Sequence, residues 1–397
     1  RSKMKNYKHT IYASYIGYIT QAIVNNFAPL LFLTFMSEYG LGLDKITLIT
    51  TVNFAVQLMV DLLSAKTVDR IGYRISVIAA HIFAAAGLIG LSVLPGVFAD
   101  PFTGIMIAVV LYAIGGGIIE VLISPIVESC PTEGKEAAMS LLHSFYCWGH
   151  LFMVIASTVF FAVFGIQGWH VLAVIWALVP AFNIFYFSVV PLYPVVAEGQ
   201  ETTPVRALIR NRVFWLLFIL MICAGASEQG MSQWASAFAE RSMGLSKTFS
   251  DLAGPCVFAA LMGISRALYG RYADRLPLKK AIIGSAVLCI LSYILSIIPG
   301  QPVLNVAGCA LCGFSVGMFW PGTFSMSAAN IPGGGTAMFA LLALAGDIGC
   351  SSGPSVVGFV ANAASGELKS GLAAAIVFPV VMLTGTLLLR AGKESGT

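Results

Sequence analysis

The stretch KTVDRIGYR at positions 66–74 recurs in altered form as RYADRLPLK at positions 271–279, with the two Asp-Arg pairs 205 residues apart. Each stretch follows one apolar run of about 20 residues and precedes another, the length that crosses a bilayer as a helix. A second short segment repeats as well, GLDK at 42–45 and GLSK at 244–247. The chain is therefore expected to consist of two related halves with the same series of apolar segments.

The composition of the chain indicates a membrane protein. Hydrophobic residues fill 58% of the 397 positions and charged residues 10%, against roughly 25% charged in soluble domains. A soluble fold of this size cannot bury so much apolar surface, so the pattern predicts an all-α membrane protein with twelve transmembrane helices. The predicted spans are Lys8–Ser37, Thr47–Ala65, Ile75–Leu94, Phe102–Ser129, Ala138–Gly165, His170–Val190, Val213–Ala239, Ser250–Tyr269, Ala281–Ile298, Val303–Asn330, Thr336–Ala363 and Ser370–Leu389.

The distribution of basic residues predicts the orientation. All but four of the 22 lysines and arginines fall at the two termini and in every second loop; the exceptions are Lys45, Arg241, Lys247 and Lys369. The positive-inside rule then places both termini in the cytoplasm. We expect the protein to lie in the inner membrane of the cell. A polar linker, 191–212, is expected to join six-helix bundles at 1–190 and 213–397. We expect a monomer in the lipid bilayer, with a small-molecule substrate and no nucleic-acid partner.

The repeated loop also carries a family resemblance. Asp69-Arg70-x-Gly72-x-Arg74 and the weaker copy at Asp274-Arg275 resemble the signature loop of the major facilitator superfamily. The resemblance implies two pseudo-symmetric six-helix bundles, alternating access, and a central cavity lined by spans one, four, seven and ten. A carboxylate and arginines at helix ends suit a cytoplasmic gate. The residues predicted for gating are Asp69, Arg70, Arg74, Asp274 and Arg275; the alternative is a solvated loop that only obeys the positive-inside rule.

A closer likeness runs through spans four and five. GGGIIEVLISP at 115–125 and SLLHSFYCWG at 140–149 resemble the fucose permease group of proton-coupled sugar transporters, and GMFWP at 317–321 is similar to the second half of that group. NNFAP at 25–29 looks like the group's Asn-Asn segment, although the permeases carry an aspartate where this chain has Ala28 and Pro29. The resemblance implies sugar transport coupled to protons, and it places the coupling acid at Glu120.

Three carboxylates fall deep within predicted spans: Glu120, Glu228 and Asp347. An ionised side chain at mid-bilayer costs a few kcal/mol or more, so acids at this depth are functional candidates and are predicted to carry the coupled proton. Glu120 is the first candidate, because spans one to six contain no lysine or arginine near their middle. The alternative is a permanently paired or protonated acid that only packs. Asp61 and Arg266, 205 residues apart, are interpreted as helix-end or inner-gate charges.

Polar and aromatic side chains within the spans are predicted to bind the substrate. Amide and carboxylate groups can hold sugar hydroxyls while an aromatic ring covers apolar C–H surface. The predicted substrate-binding residues are Tyr18, Gln21, Asn25, Asn26, Tyr112, His143, Tyr146, Glu228, Gln229, Gln233, Trp234 and Trp320. The same groups could instead hydrogen-bond to neighbouring helices.

Other functions are weighed against this interpretation. Proton-driven efflux of a drug or amphiphilic metabolite is the alternative transport function. His143 and His150 share a face of span five, which would suit a metal carrier, but no third ligand follows at metal-site spacing. No catalytic motif or phosphate-binding loop is present, so the sequence predicts neither an enzyme nor a cofactor.

Overall fold

The computed structural model describes residues 6–133, 135–194, 205–272 and 275–389. Within these ranges the regular structure is helical and no strand occurs. Twelve segments are long and apolar enough to cross a membrane, so the predicted all-α fold with twelve spans is confirmed. In chain order, spans one to twelve are Tyr7–Tyr39, Leu43–Ser64, Tyr73–Gly96, Pro101–Glu128, Leu141–Phe164, Ile166–Val189, Arg212–Ser232, Lys247–Tyr272, Leu278–Ile297, Pro302–Asn330, Ala337–Ala363 and Leu368–Leu388.

Several spans are interrupted where the sequence predicted continuous helices. Span one consists of an α-helix, Tyr7–Asn26, a 3₁₀ turn, Ala28–Leu31, and a second α-helix, Phe32–Tyr39. Pro29 lies in that turn, where its missing N–H and fixed φ favour a break. Span seven ends at Ser232, and a separate helix, Ala235–Met243, follows it where the prediction continued span seven to residue 239.

The chain forms two compact units. The first comprises residues 1–197 together with Ser246–Leu252, and the second comprises the remainder of the chain. In the first unit, span one packs on spans four, five and six, span two packs on span four, and span three packs on spans four and six. In the second unit, spans seven to twelve form the equivalent pairs: seven with eleven and twelve, eight with ten, and nine with ten and twelve. The internal repeat seen in the sequence is thus also a repeat of helix pairing.

Glycines in span four allow its neighbours to approach closely. A Cβ at Gly115 would lie 2.5 Å from the Ala80 carbonyl oxygen of span three. A Cβ at Gly116 would touch the Gln57 amide of span two at 3.3 Å, and one at Gly117 would lie 3.1 Å from Gln57 Cα. The triple glycine therefore brings two neighbouring helices within backbone distance of span four, next to Glu120.

A buried polar brace ties spans one, three and six together. The Asn183 amide donates to His81 Nε2 at 2.8 Å and to the Ala13 carbonyl oxygen at 3.1 Å. Because His81 Nε2 accepts, its Nδ1 carries the proton and donates to the Val77 carbonyl oxygen at 2.7 Å. His81 and Asn183 are both fully buried. This brace fixes how span one lies against the rest of the first unit.

Candidate functional site

A network of side-chain amides lies between spans one, two and five of the first unit. Asn25 Oδ1 accepts from Gln57 Nε2 at 2.6 Å and from Asn53 Nδ2 at 3.2 Å, and Gln57 also donates to Asn53 Oδ1 at 3.0 Å. Asn25 Nδ2 in turn donates to the Tyr146 hydroxyl at 3.2 Å. Because both Gln57 N–H groups and both Asn25 groups are engaged, the orientation of every amide in the network is determined.

The predicted residues of span one divide into two groups. Asn26 joins the amide network by donating to the Tyr146 oxygen at 3.3 Å, and to the Ala22 carbonyl oxygen at 2.9 Å. Tyr18 lies further along, where its hydroxyl is 2.7 Å from the Ser124 hydroxyl and its ring centre is 5.6 Å from that of His143. Gln21, which lies between Tyr18 and Asn25 in sequence, is also buried.

The Tyr146 hydroxyl has a defined polarity. Its oxygen receives N–H groups from both Asn25 and Asn26, which occupies its two lone pairs. The O–H of Tyr146 therefore acts as a donor.

Glu120 lies opposite a second acid. Carboxylate oxygens of Asp61 on span two and Glu120 on span four lie within 4.8 Å of one another. Both residues are half-buried. The two side chains are therefore close enough for their charges to interact directly.

Span two contributes two residues, Asn53 and Gln57, that were not expected from the sequence, and a third, Asp61, that was expected only as a helix-end or inner-gate charge. Asn53, Gln57 and Asp61 are four residues apart in sequence and form one polar face of that helix. Asn53 and Gln57 are buried in the amide network, and Asp61 faces Glu120. The signal was a polar i, i+4, i+8 pattern within an apolar run, which periodicity alone could have found.

In the second unit, Glu228 is held by an ion pair. Arg266 Nη2 lies 2.9 Å from Glu228 Oε1, and Arg266 Nε donates to the Gly317 carbonyl oxygen at 3.0 Å. Gly317 lies where span ten breaks between the helices Pro302–Val316 and Phe319–Asn330. Arg266 therefore connects spans seven, eight and ten within the unit, a partner that the interpretation as an inner-gate charge did not anticipate.

The remaining polar residues of span seven are buried in packing contacts. Gln233 Nε2 donates to Gln229 Oε1 at 3.1 Å, one helical turn away. Trp234 is fully buried, and its Nε1 donates to the Pro354 carbonyl oxygen of span eleven at 3.0 Å. The Trp234 ring thus lies in the core of the second unit in this conformation.

Other predicted residues lie among close helix contacts. Tyr112 is fully buried against span three. A Cβ added at Gly87 of span three would lie 2.5 Å from the Cβ of Tyr112. Trp320 packs on span eleven, since a Cβ at Gly346 would lie 2.3 Å from its ring. Asp347 follows Gly346 directly and is 7% exposed. Trp320 and Gly346 therefore meet at the contact between spans ten and eleven.

The residues predicted for gating have different environments. Arg74 Nη1 donates to the carbonyl oxygens of Phe187 and Val190 at 2.8 and 2.9 Å, so it caps the C-terminal end of span six. Arg70 and Arg275 are exposed at the ends of spans two and eight. Asp274 lies outside the described residues, as does the side chain of Asp69.

A family model and one curated relative match the sequence. The model, described as Major Facilitator Superfamily, matches residues 14–354. An uncharacterised MFS-type transporter of Yersinia pestis is 27% identical over 173 residues, which cover 42% of this chain and 44% of the relative. The alignment thus spans less than half the length of that relative.

Solved structures share the fold over nearly the whole chain. A D-xylose–proton symporter superposes with a TM-score of 0.76 at 13% identity, covering 98% of each chain. A bacterial homologue of the human lysosomal transporter Spinster, inward-facing and occupied, gives 0.74 at 14% identity, covering 96% of each. The E. coli fucose:proton symporter gives 0.65 at 14% identity, covering 97% of this chain and 99% of its own.

Proposed function

The chain belongs to the major facilitator superfamily, and from that premise we propose that this transporter takes up a sugar or similar small polar solute together with protons, by alternating access. The observation that carries the proposal is the Asp61–Glu120 pair beside the amide network of the first unit. It combines a group that can hold a proton with donors and acceptors for a hydroxylated solute.

The carboxylate pair supports proton coupling. Two acids within 4.8 Å share a proton more readily than either binds one alone in water, because the second negative charge opposes ionisation of the first. Wetting of the cavity, or a change in the neighbours of Glu120, would favour release of that proton. Glu120 therefore acts as the proton carrier, with Asp61 as its partner.

Glu228 and Asp347 come after Glu120 as candidates for the proton carrier. Glu228 lies 2.9 Å from the Arg266 guanidinium, which engages its carboxylate in an ion pair. It can exchange a proton only if the transport cycle breaks that ion pair. Asp347, buried beside Gly346, is the next candidate after Glu120.

The amide network supports a hydroxylated substrate. Asn25, Asn26 and Tyr146 form a cluster with fixed hydrogen-bond polarity, and the Tyr18 and His143 rings add aromatic surface nearby. Groups of this kind bind sugars by hydrogen bonds to hydroxyls and ring contact with C–H surface. Two of the structurally similar proteins are named as D-xylose– and fucose–proton symporters, which agrees with this substrate class.

The proposal also includes the orientation of the protein in the membrane. Both termini and the Asp69–Arg74 loop lie in the cytoplasm. The protein is a monomer in the inner membrane of the cell. Asp69, Arg70 and Arg275 act at the inner gate with Asp274, while Arg74 anchors the loop by capping span six.

Replacement of Glu120 tests the proposal. Glu120→Gln mimics the protonated acid, so we expect exchange of substrate across proteoliposome membranes to persist while accumulation driven by an inward pH gradient is lost. Radiolabelled L-fucose and D-xylose, followed by a wider sugar panel, are the probes. A matched Glu38→Gln variant, at the outer end of span one, should accumulate substrate like the parent protein.

Two outcomes would change the assignment. If Glu120→Gln still concentrates substrate under a pH gradient, the acid is structural and Asp347 becomes the candidate. If the parent protein instead expels amphiphilic compounds against an imposed gradient and takes up no sugar, the alternative function of proton-driven efflux replaces sugar uptake.

A further inference from the structure

A cavity lies within the second unit where span nine ends and span twelve begins. Its volume is about 450 Å³. Span nine ends at Ile297 and span twelve starts at Leu368, so the cavity lies at the ends of both helices and not at their middle. Its walls come from the loop after span nine and from the first turns of span twelve. At this depth the surroundings are the headgroups and water of the membrane interface.

Two side chains of opposite charge line the cavity. Glu367 is exposed, and Lys369 is half-buried, as is the neighbouring Ser370. Lys369 Nζ lies 3.4 Å from the Ile298 carbonyl oxygen, a long contact for an ammonium group. Glu367 takes part in none of the ion pairs found in the described part of the chain. The cavity therefore presents an acceptor for a cationic group beside a donor for an anionic group.

Hydrogen bonds anchor the backbone on both sides of the cavity. Asn305 Nδ2 donates to the carbonyl oxygens of Leu295 and Ile298 at 2.8 and 2.9 Å, which satisfies the end of span nine. Arg241 Nη1 donates to the Gly366 carbonyl oxygen at 2.9 Å, which ties the loop before span twelve to the helix that follows span seven. The charged side chains thus extend from loops that are held in place.

Exposed apolar side chains continue from the cavity along both spans. Ile297 of span nine and Ala373 of span twelve line the cavity. Exposed apolar residues follow at helical spacing: Ile294, Leu291 and Val287 in span nine, and Val377 and Val380 in span twelve. The two spans pack on each other. An amphiphile with its polar end in the cavity can therefore lay its hydrocarbon chains against spans nine and twelve.

The equivalent loop of the first repeat lacks both charges. Spans five and six are joined by Gly165-Ile166-Gln167-Gly168, whereas Glu367 and Lys369 flank the start of span twelve. The combination of a carboxylate, an ammonium group and adjoining apolar surface is therefore a feature of the second unit that the repeat does not require.

We propose that this cavity binds the headgroup of a phospholipid that carries a phosphate and a primary amine, namely phosphatidylethanolamine. Lys369 and the Ser370 hydroxyl donate to the phosphate, and Glu367 accepts hydrogen bonds from the ammonium group. The acyl chains lie on the exposed apolar residues of spans nine and twelve. A choline headgroup has no N–H to donate and a glycerol headgroup has no cation, so Glu367 distinguishes the amine from both.

The predicted orientation places the site in the outer leaflet, because the loop that carries Lys369 lies opposite to the termini. The proposal concerns a lipid and holds whether or not the transported solute is a sugar or the coupled ion a proton.

Native mass spectrometry of the purified protein in detergent tests the site. The protein is titrated separately with palmitoyl-oleoyl phosphatidylethanolamine, phosphatidylcholine and phosphatidylglycerol. Parent and variant share every other lipid contact, so a difference in affinity between them reports this cavity. We expect Glu367→Gln to weaken binding of phosphatidylethanolamine about threefold or more and to leave phosphatidylcholine unchanged, since only the amine loses a charged acceptor. Lys369→Gln should weaken all three lipids, because each carries a phosphate.

Matched variants control for charge and for folding. Glu367→Asp keeps the carboxylate and should keep the preference for the amine. Asp44→Asn and Lys45→Gln remove the same charges from exposed positions on the same predicted side of the membrane, and they should bind each lipid like the parent.

Three outcomes would overturn the proposal. Glu367→Gln could bind phosphatidylethanolamine as tightly as the parent, or Asp44→Asn could weaken it to the same extent; either result removes the headgroup site. Soluble O-phosphoethanolamine carries the same headgroup without acyl chains and should not displace the lipid at equal concentration. If it does, the cavity binds a small zwitterion and not a lipid. None of these measurements depends on sugar uptake or proton coupling.

Discussion

At the residue scale, the meaning of a buried acid depends on the group that faces it. Glu120 faces Asp61, whereas Glu228 faces Arg266. Glu228 holds the arginine that also donates to the Gly317 carbonyl oxygen, whereas Glu120 lies beside another acid. Two glutamates that both lie deep in predicted spans therefore have neighbours of opposite charge.

The Glu228–Arg266 pair predicts an asymmetric effect on stability. Arg266→Met leaves Glu228 buried without its cation, so we expect it to lower the free energy of unfolding by about 3–5 kcal/mol. Adding Glu228→Met to that variant should recover much of the loss, because no unpaired charge remains. Thermal unfolding of the purified protein measures both, with the exposed Arg206→Met as control. An Arg266→Met variant as stable as the parent would show that the pair contributes nothing.

At the element scale, close helix crossings depend on glycines that pack directly against the backbone of a neighbouring helix. Spans seven and eleven of the second unit cross closely: a Cβ at Gly349 would lie 2.0 Å from the Ile222 carbonyl oxygen. A Cβ at Gly225 would lie 2.3 Å from the Gly346 carbonyl oxygen. Small residues on both helices allow this approach, as in other membrane helix pairs. The crossing keeps Glu228 of span seven and Asp347 of span eleven in one rigid helix pair.

The crossing predicts a contrast between two glycine substitutions. Gly349→Ala should destabilise the protein by at least ~1–3 kcal/mol, because backbone atoms cannot move aside as a flexible side chain could. Gly284→Ala, in the helix of span nine, meets no atom within 4 Å and should be neutral or stabilising by about 0.5–1 kcal/mol. Thermal unfolding midpoints of the two variants, measured side by side, check this. Equal midpoints would contradict the packing argument.

At the scale of the whole molecule, a repeated pattern of helix pairing is combined with an uneven distribution of charge. Spans one to six and spans seven to twelve pair in the same way within their units. Basic residues concentrate in alternate loops, with Lys45 and Arg206 on opposite sides by that count. An even number of spans and this bias together predict that both termini are cytoplasmic.

Accessibility labelling checks the predicted orientation. A membrane-impermeant maleimide should label Lys45→Cys and Lys369→Cys in intact cells and label Arg206→Cys only after the membrane is opened. Lys45 and Arg206 are both exposed, so burial does not explain a difference between them. Labelling of Lys45→Cys and Arg206→Cys from the same side would overturn the topology.

The class of fold could be predicted from the sequence alone. A bilayer offers no hydrogen bonds to the backbone, so apolar runs of about 20 residues must be helices, and their number follows from counting. The repeat of Asp69-Arg70 at Asp274-Arg275 and the family resemblance were likewise readable in one dimension. Breaks such as the 3₁₀ turn at Pro29 were harder to predict, because hydropathy does not change across them.

Which side chains contact one another became known only from the folded structure. Gln57 reaches Asn25 across 32 positions, and Lys247 reaches Leu30 across 217. Helical periodicity tells which face of span two is polar but not which helix that face touches, because side-chain partners depend on packing between distant spans. The same limit explains why the sequence could not show that Asp61 lies beside Glu120 and Arg266 beside Glu228.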